Sequence, residues 1–243
     1  MKLEVCVADP QSLAAAIEGG AERIELCSAL ELGGLTPLPG LIALAATSGV
    51  ETFALVRPRS GDFVFDSHDL DAMLRDIAAV RQSGLAGVVL GANHPDGTLD
   101  QATLARLLDE ADGLGTTLHR AIDLVPDFAE ATEAAIELGF DRVLTSGGAP
   151  TVLDGLGQLA LVHATARGRI QVMAGSGLRP DNVLELLAAV PVDEVHSSCA
   201  GEPMPSAEGA VRLGFAAKTR RHTDAAVVRA FRDRLAGWGA SRQ

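Results

Sequence analysis

No uninterrupted apolar run in this 243-residue chain reaches the roughly 18–20 residues that a bilayer-spanning helix requires. Met1-Lys2 leads straight into a strand pattern instead of a secretory leader, so a cytosolic protein is expected. Cysteine is scarce. Three residues, Cys6, Cys27 and Cys199, form an odd set without an export signal, which excludes a disulfide framework and leaves thiols. There is no C-x-x-C and no dense Cys/His cluster of the structural-zinc kind. Positive charge is also short: 20 Lys+Arg face 32 Asp+Glu, giving a net charge of -12 that argues against nucleic acid or an anionic membrane as partner. The one basic cluster, Lys218, Arg220 and Arg221, reads as a solvated loop or helix start.

What is present is enough apolar material, 47% of residues, for a large core, with no composition break to divide 1–243 into two domains. The stretch 21–28, Ala-Glu-Arg-Ile-Glu-Leu-Cys-Ser, alternates apolar with polar and runs into Gly33-Gly34, as a strand with two unlike faces would. Leu3 to Val7 repeats the alternation. Its Glu4 and Cys6 are expected in register with Glu25 and Cys27. Helices follow at about 10–19, 37–48, 69–82, 100–112, 127–138, 151–166 and 180–189. Strands alternate with them at 51–57, 87–91, 116–119, 141–145, 169–174 and 192–196. With Thr223–Leu235 as the last helix, eight strand-then-helix units emerge, which favours a single-domain TIM (β/α)8 barrel over an open doubly wound sheet. The segment 200–222 before that helix is longer and less regular than the other connections. Residues 15–24 and 134–143 also resemble each other about half the chain apart, as two half-barrels would, or as two uses of one helix-to-strand turn.

In a TIM barrel the strand ends and the loops after them form the active face. Strand parity turns Glu4, Cys6, Glu25, Cys27, Thr117, His119, Glu194 and His196 inward, with Arg57 ambiguous. Buried carboxylates need partners, and Arg23, Arg57, Arg120 and Arg142 are the candidates. Gly175-Ser176-Gly177 after the seventh strand, Ser197 after the eighth and Ser146-Gly147 after the sixth suit an anionic ligand held by backbone N–H groups. Arg57 and Arg59 offer a guanidinium clamp for carboxylate or phosphate. His119 beside Arg120, with Asp123 to orient it, and Glu25 supply acid/base groups. Cys6 and Cys27 on adjacent strands ~4.8 Å apart suit Cu(I) or zinc through metal–sulfur bonds of ~2.3 Å.

Glu4-Val5-Cys6, Arg23 to Leu30, Gly33-Gly34-Leu35-Thr36-Pro37, Arg57-Pro58-Arg59, Gly61-Asp62-Phe63, His119-Arg120-Ala121, Leu144 to Gly148 and Glu194-Val195-His196 together resemble the CutC family, in order and through nearly the whole barrel. The resemblance implies a cytosolic TIM barrel, a homodimer, named for copper homeostasis, with Cu(I) held at the positions of Cys6 and Cys27. It attaches no reaction and no organic cofactor. Ser176 stands where glycine is commoner in the family, and Ile122 where Phe is usual. Two functions stay open at this point: copper binding by the thiols, or an enzyme in which Glu25, His119 and Asp123 move protons on a small anionic substrate.

Overall fold

The computed structural model describes residues 1–240. Eight parallel strands close into a barrel in chain order: β1 (Lys2–Val7), β2 (Arg23–Leu26), β3 (Glu51–Leu55), β4 (Gly87–Leu90), β5 (Gly115–Leu118), β6 (Arg142–Thr145), β7 (Gln171–Ala174) and β8 (Glu194–Ser197), which returns to β1. The helices between them are α1 (Pro10–Gly19), α2 (Pro39–Ala46), α3 (Ser67–Ser83), α4 (Gln101–Glu110), α5 (Phe128–Leu138), α6 (Leu156–Ala166) and α7 (Val183–Ala189). No helix among the described residues is long and apolar enough to cross a membrane.

Local chemistry explains the boundaries. Asp9, Asp66, Asp100 and Asp127 each accept a backbone N–H of the following helix's first turn, an aspartate cap repeated at α1, α3, α4 and α5. Gly20 and Gly139 close α1 and α5 in the left-handed region, at φ 82° and 87°. These are the glycines of the repeated segment, and each precedes a strand that opens on an inward arginine, Arg23 or Arg142. Two expected helices start late. Residues 151–155 turn instead, and Asn182 Oδ1 accepts the Arg179 N–H at 2.8 Å ahead of α7. Within 200–222 the chain makes two short strands, β9 (Met204–Pro205) and β10 (Thr219–Arg220), paired antiparallel around α8 (Glu208–Arg212). The last helix, α9 (Ala225–Ala240), packs on α1.

Strand alternation divides the core. Leu3, Val5, Val7, Ile24, Leu26, Val88, Leu90, Val143, Val172 and Val195 face the helices and are buried there. The inward set is mixed: Cys27, Phe53, Leu55 and Val89 form a small cluster inside the barrel beside the charged groups. The Phe53 ring occupies space that Gly87 and Gly115 on the next two strands leave open, since a Cβ at either would collide with it.

One expected register is corrected. β1 pairs with β2 as Glu4 with Arg23 and Cys6 with Glu25, so Cys27 lies two residues above the level opposite Cys6. A slip of two preserves which side chains face inward, so alternation alone did not detect it. The stagger that closes a barrel sets it.

Candidate functional site

Charged groups fill the floor of the barrel. Arg23, at 0% exposure, donates Nε to Glu4 Oε2 at 2.5 Å and Nη1 to Glu194 Oε1 at 3.0 Å, and its Nη2 bonds Glu194 Oε2. Arg142 reaches Glu194 at 3.4 Å and donates to Thr117 Oγ1 at 3.2 Å. Both guanidiniums lie over the Phe53 ring, 5.5 and 4.8 Å from its centroid. Two carboxylates and two guanidiniums balance, as burial of charge demands.

Glu4 joins this floor to the layer above. Its other oxygen, Oε1, lies 2.8 Å from His196 Nδ1, leaving His196 Nε2 to face Glu25 Oε2 at 3.6 Å. One ligand-capable atom each from Cys6, Glu25 and His196 lie within 4.8 Å of one another, all three buried. The Cys27 thiol donates to the Glu25 carboxylate and stands outside that trio. Beside the thiol pair expected on the two strands, the structure therefore brings Glu25 and His196 together with Cys6, and Cys27 lies above them.

The trio's electrostatics follow from crowding. Burial, helped by the Glu4 charge and opposed by His196, pushes the Glu25 carboxyl up to about 7. Burial also raises the Cys27 thiol well above its ordinary range, and the carboxylates beside it add to the effect, so it stays protonated. Burial opposes the charge on His196, but Cys6, Glu4 and Glu25 carry its pKa well above the ordinary value. Glu4 goes the other way. Burial alone would raise it, yet His196 and Arg23 hold it down at about 2.

Above the trio opens a cavity of about 480 Å³. Cys6, Glu25, Cys27 and His196 line its base, Arg57 and His119 one wall, and Arg120, Ser176, Gly177 and Ser197 parts of the rim. Arg59, Asp123, Ser146, Gly147 and Gly175 do not line it. Arg59 is turned away, bonded to Asp69 at 2.8 Å and to the Val64 carbonyl at 2.6 Å, so there is no two-arginine clamp. Ser197 sits on the helix-facing side of β8, where its hydroxyl donates to the Leu178 carbonyl and accepts the Cys199 N–H. Gly175 leaves room for His196, which a Cβ would crowd at 3.2 Å.

Asp123 does not orient His119. It accepts from Arg120 Nε at 2.6 Å, Thr145 Oγ1 at 2.5 Å, the Ser146 hydroxyl at 2.9 Å and the backbone N–H groups of Ser146 and Gly148 at 3.1 Å. The loop predicted to hold an external anion is thus wrapped around a carboxylate of the chain itself.

His119 also departs from its expected role. Its Nδ1 accepts the Ala121 N–H at 3.1 Å, which places the ring proton on Nε2. Burial, with the Arg57 charge nearby, drops its pKa to about 3, so it is a neutral hydrogen-bond donor and not a base near pH 7. Its Nε2 is buried without a partner, as is Arg57 Nε. Phe63 covers both, its ring centroid 4.7 Å from that of His119 and 5.0 Å from the Arg57 guanidinium carbon. Strand parity did not identify Phe63; only its place in the Gly61-Asp62-Phe63 motif marked it.

The sequence matches the family model described as "CutC family" over residues 1–201. Curated relatives bearing the name family protein CutC include one from Rhizobium meliloti, 53% identical over 97% of this chain and 96% of the relative. Another, from Aliivibrio fischeri, is 44% identical over 82% and 81%. Among solved structures, the CutC protein of Streptococcus agalactiae, named for copper homeostasis, superposes with a TM-score of 0.78 at 26% identity, covering 82% of this chain and 98% of that one. A thiamine phosphate pyrophosphorylase from Pyrococcus furiosus, TM-score 0.58 at 19% identity over 97% and 96%, shares the fold alone.

Proposed function

Starting from the premise that this chain belongs to the CutC family, we propose that it binds copper as Cu(I) at the base of the barrel mouth. Cys6 and His196 are the principal ligands and Cys27 is the second thiol available to the ion. The observation that carries this is the buried Cys6–Glu25–His196 trio, with Glu4 bonded to the far nitrogen of His196. A carboxylate on the other ring nitrogen is the arrangement that fixes a metal-binding imidazole and raises its basicity. Thiolate and imidazole are donors that Cu(I) accepts, and thiolate in particular selects it over harder ions. The residues present fit the ion in charge as well. Burial keeps protons on Glu25 and Cys27, and Cys6, Glu4 and Glu25 hold one on His196 against its burial; a cation bound there would displace them. A cytosolic location and a homodimer go with this assignment. Exposed Leu38 and Leu44 on and beside α2 offer apolar surface for a second copy.

The test is an anaerobic Cu(I) titration against a strong competing chelator, on the wild type and on Cys6→Ser, Cys27→Ser and His196→Gln, with Zn(II) in parallel. Loss of at least about 100-fold in affinity for Cys6→Ser and 10-fold or more for His196→Gln is expected, since ligand and outer-shell losses fall in this range. A smaller loss is expected for Cys27→Ser. Binding indifferent to Cys6 and His196 would refute the assignment.

A further inference from the structure

We propose that the wall of the same cavity, independently of copper, is a binding site for a small organic carboxylate, held by the Nε–H of Arg57 and the Nε2–H of His119. Both side chains are 5% exposed, and both of these donors are buried without a partner. A buried unmatched donor is costly, more so on a charged group, and two in one cavity wall call for an acceptor. Arg57 spends its Nη groups on the backbone carbonyls of Leu32, Gly34 and Gly61. Among the described residues no carboxylate pairs with it, so its charge is uncompensated inside a protein of net charge -12. Arg179 and Arg221 on the rim are likewise without an ion pair among the described residues, and the cavity mouth is positive where the chain is otherwise acidic.

The structure favours carboxylate over phosphate. Phosphate in barrels of this class sits on backbone N–H groups after the seventh and eighth strands and on a helix start there. In this chain two of the N–H groups of those loops are spent, that of Arg179 on Asn182 and that of Cys199 on Ser197, α7 has only seven residues, and the chain beyond β8 leaves for the β9–α8–β10 excursion, whereas the two buried unmatched donors are side-chain groups on the opposite wall. Two single N–H donors suit the two oxygens of a carboxylate. Leu30, Leu55 and Leu144 line the same cavity and would meet its carbon skeleton. Phe63, packed on both donors from the Pro58–Asp66 loop, must shift to admit it.

The test is calorimetric titration of the metal-free protein, chelator present throughout, with acetate, butyrate, pyruvate and 2-oxoglutarate, with acetamide and butyramide as uncharged matches, and with inorganic phosphate. Nitrogen-15 NMR of the imidazoles follows His119 Nε2 in the wild type. At least one carboxylate is expected to saturate with Kd below about 1 mM, in the range of ordinary substrate affinities. It should shift the His119 Nε2 resonance and bind at least tenfold more weakly to His119→Ala. The NMR shift decides should that variant fold poorly. No saturable carboxylate binding, phosphate binding in preference to carboxylates, or binding that leaves the His119 resonance unmoved would overturn the proposal. Because the chelator removes metal from every titration, failure of copper binding and failure of carboxylate binding are separate results.

Discussion

The floor and the mouth of this barrel are built from the same residue types and treated in opposite ways. On the floor, the charges of Arg23, Arg142, Glu4 and Glu194 balance in ion pairs, although Arg142 Nε, 3.4 Å from Glu194, makes no hydrogen bond. At the mouth, Arg57 has no carboxylate partner among the described residues, His119 Nε2 has no acceptor, and Cys6, Glu25 and His196 crowd three ligand-capable atoms into one buried spot. Buried charge that serves the fold is balanced within the fold, whereas at the mouth a buried guanidinium without a counter-ion and an unmatched imidazole N–H share one cavity, which is where a ligand has something to offer. Glu4 belongs to both layers, one oxygen on Arg23 and the other on His196.

The comparison breaks most forcefully at Arg23. Arg23→Leu removes the guanidinium that Glu4 and Glu194 share, leaving them only His196 and Arg142, and should cost about 3–5 kcal/mol, as removal of one partner of a buried ion pair does. In a chain of this size that lowers Tm by roughly 10–15 °C, read by calorimetry. A loss under about 1 kcal/mol would mean the floor does not carry the fold.

His119 sharpens the contrast from the other side. Unfolded, it takes a proton near pH 6.5; folded, it refuses one until about pH 3. The unfolded state therefore binds more protons between these values, and stability falls as pH drops from 6.5 toward 3, by an amount on the order of a few kcal/mol. His119→Gln should flatten that segment of a urea-stability-versus-pH curve. An unchanged slope would contradict the buried neutral imidazole.

Glu25 has the reverse sign. Its folded pKa of about 7 exceeds the ordinary 4.5, so the native state holds the extra proton between these values. The stability it contributes is fully present below pH 4.5 and is lost as pH rises through 7, by about 3–4 kcal/mol at most. Glu25→Gln should remove this loss in the metal-free protein, leaving it more stable than wild type at pH 8. Equal stability there would show that the trio is not under strain.

The smallest effect concerns Ser176, held at φ 81° in the region glycine prefers, with its hydroxyl on the Pro150 carbonyl at 2.7 Å. Ser176→Gly relieves the backbone and loses one exposed hydrogen bond, for a net gain within about 1 kcal/mol by chemical denaturation.

Much of this was legible in the sequence, because barrel strands impose a period of two and the acidic and thiol residues of β1 and β2 obey it. The inward arginines and their carboxylates and the convergence of Cys6, Glu25, His119 and His196 follow from that period, and the eight units from the alternation of strand and helix patterns. What parity cannot supply is height. The stagger between β1 and β2 moved Cys27 above Cys6 and put Glu25 opposite Cys6 instead. Nor does composition say whether a polar group is already spent. Asp123 looked like a partner for His119 and instead fills the Ser146–Gly148 turn, and Arg59 looked like half of a clamp and instead ties its own loop to α3. His119 was read as a base because histidine titrates near neutrality, a property that burial beside Arg57 removes.

The central claim, that the mouth's buried trio is the metal-binding layer, is tested most directly by X-ray absorption spectroscopy of the anaerobically Cu(I)-loaded protein. Sulfur scattering together with the outer-shell signature of an imidazole is predicted, the imidazole signal disappearing in His196→Gln and sulfur scattering diminishing in Cys6→Ser. A copper environment without sulfur, or one unchanged in both variants, would contradict it.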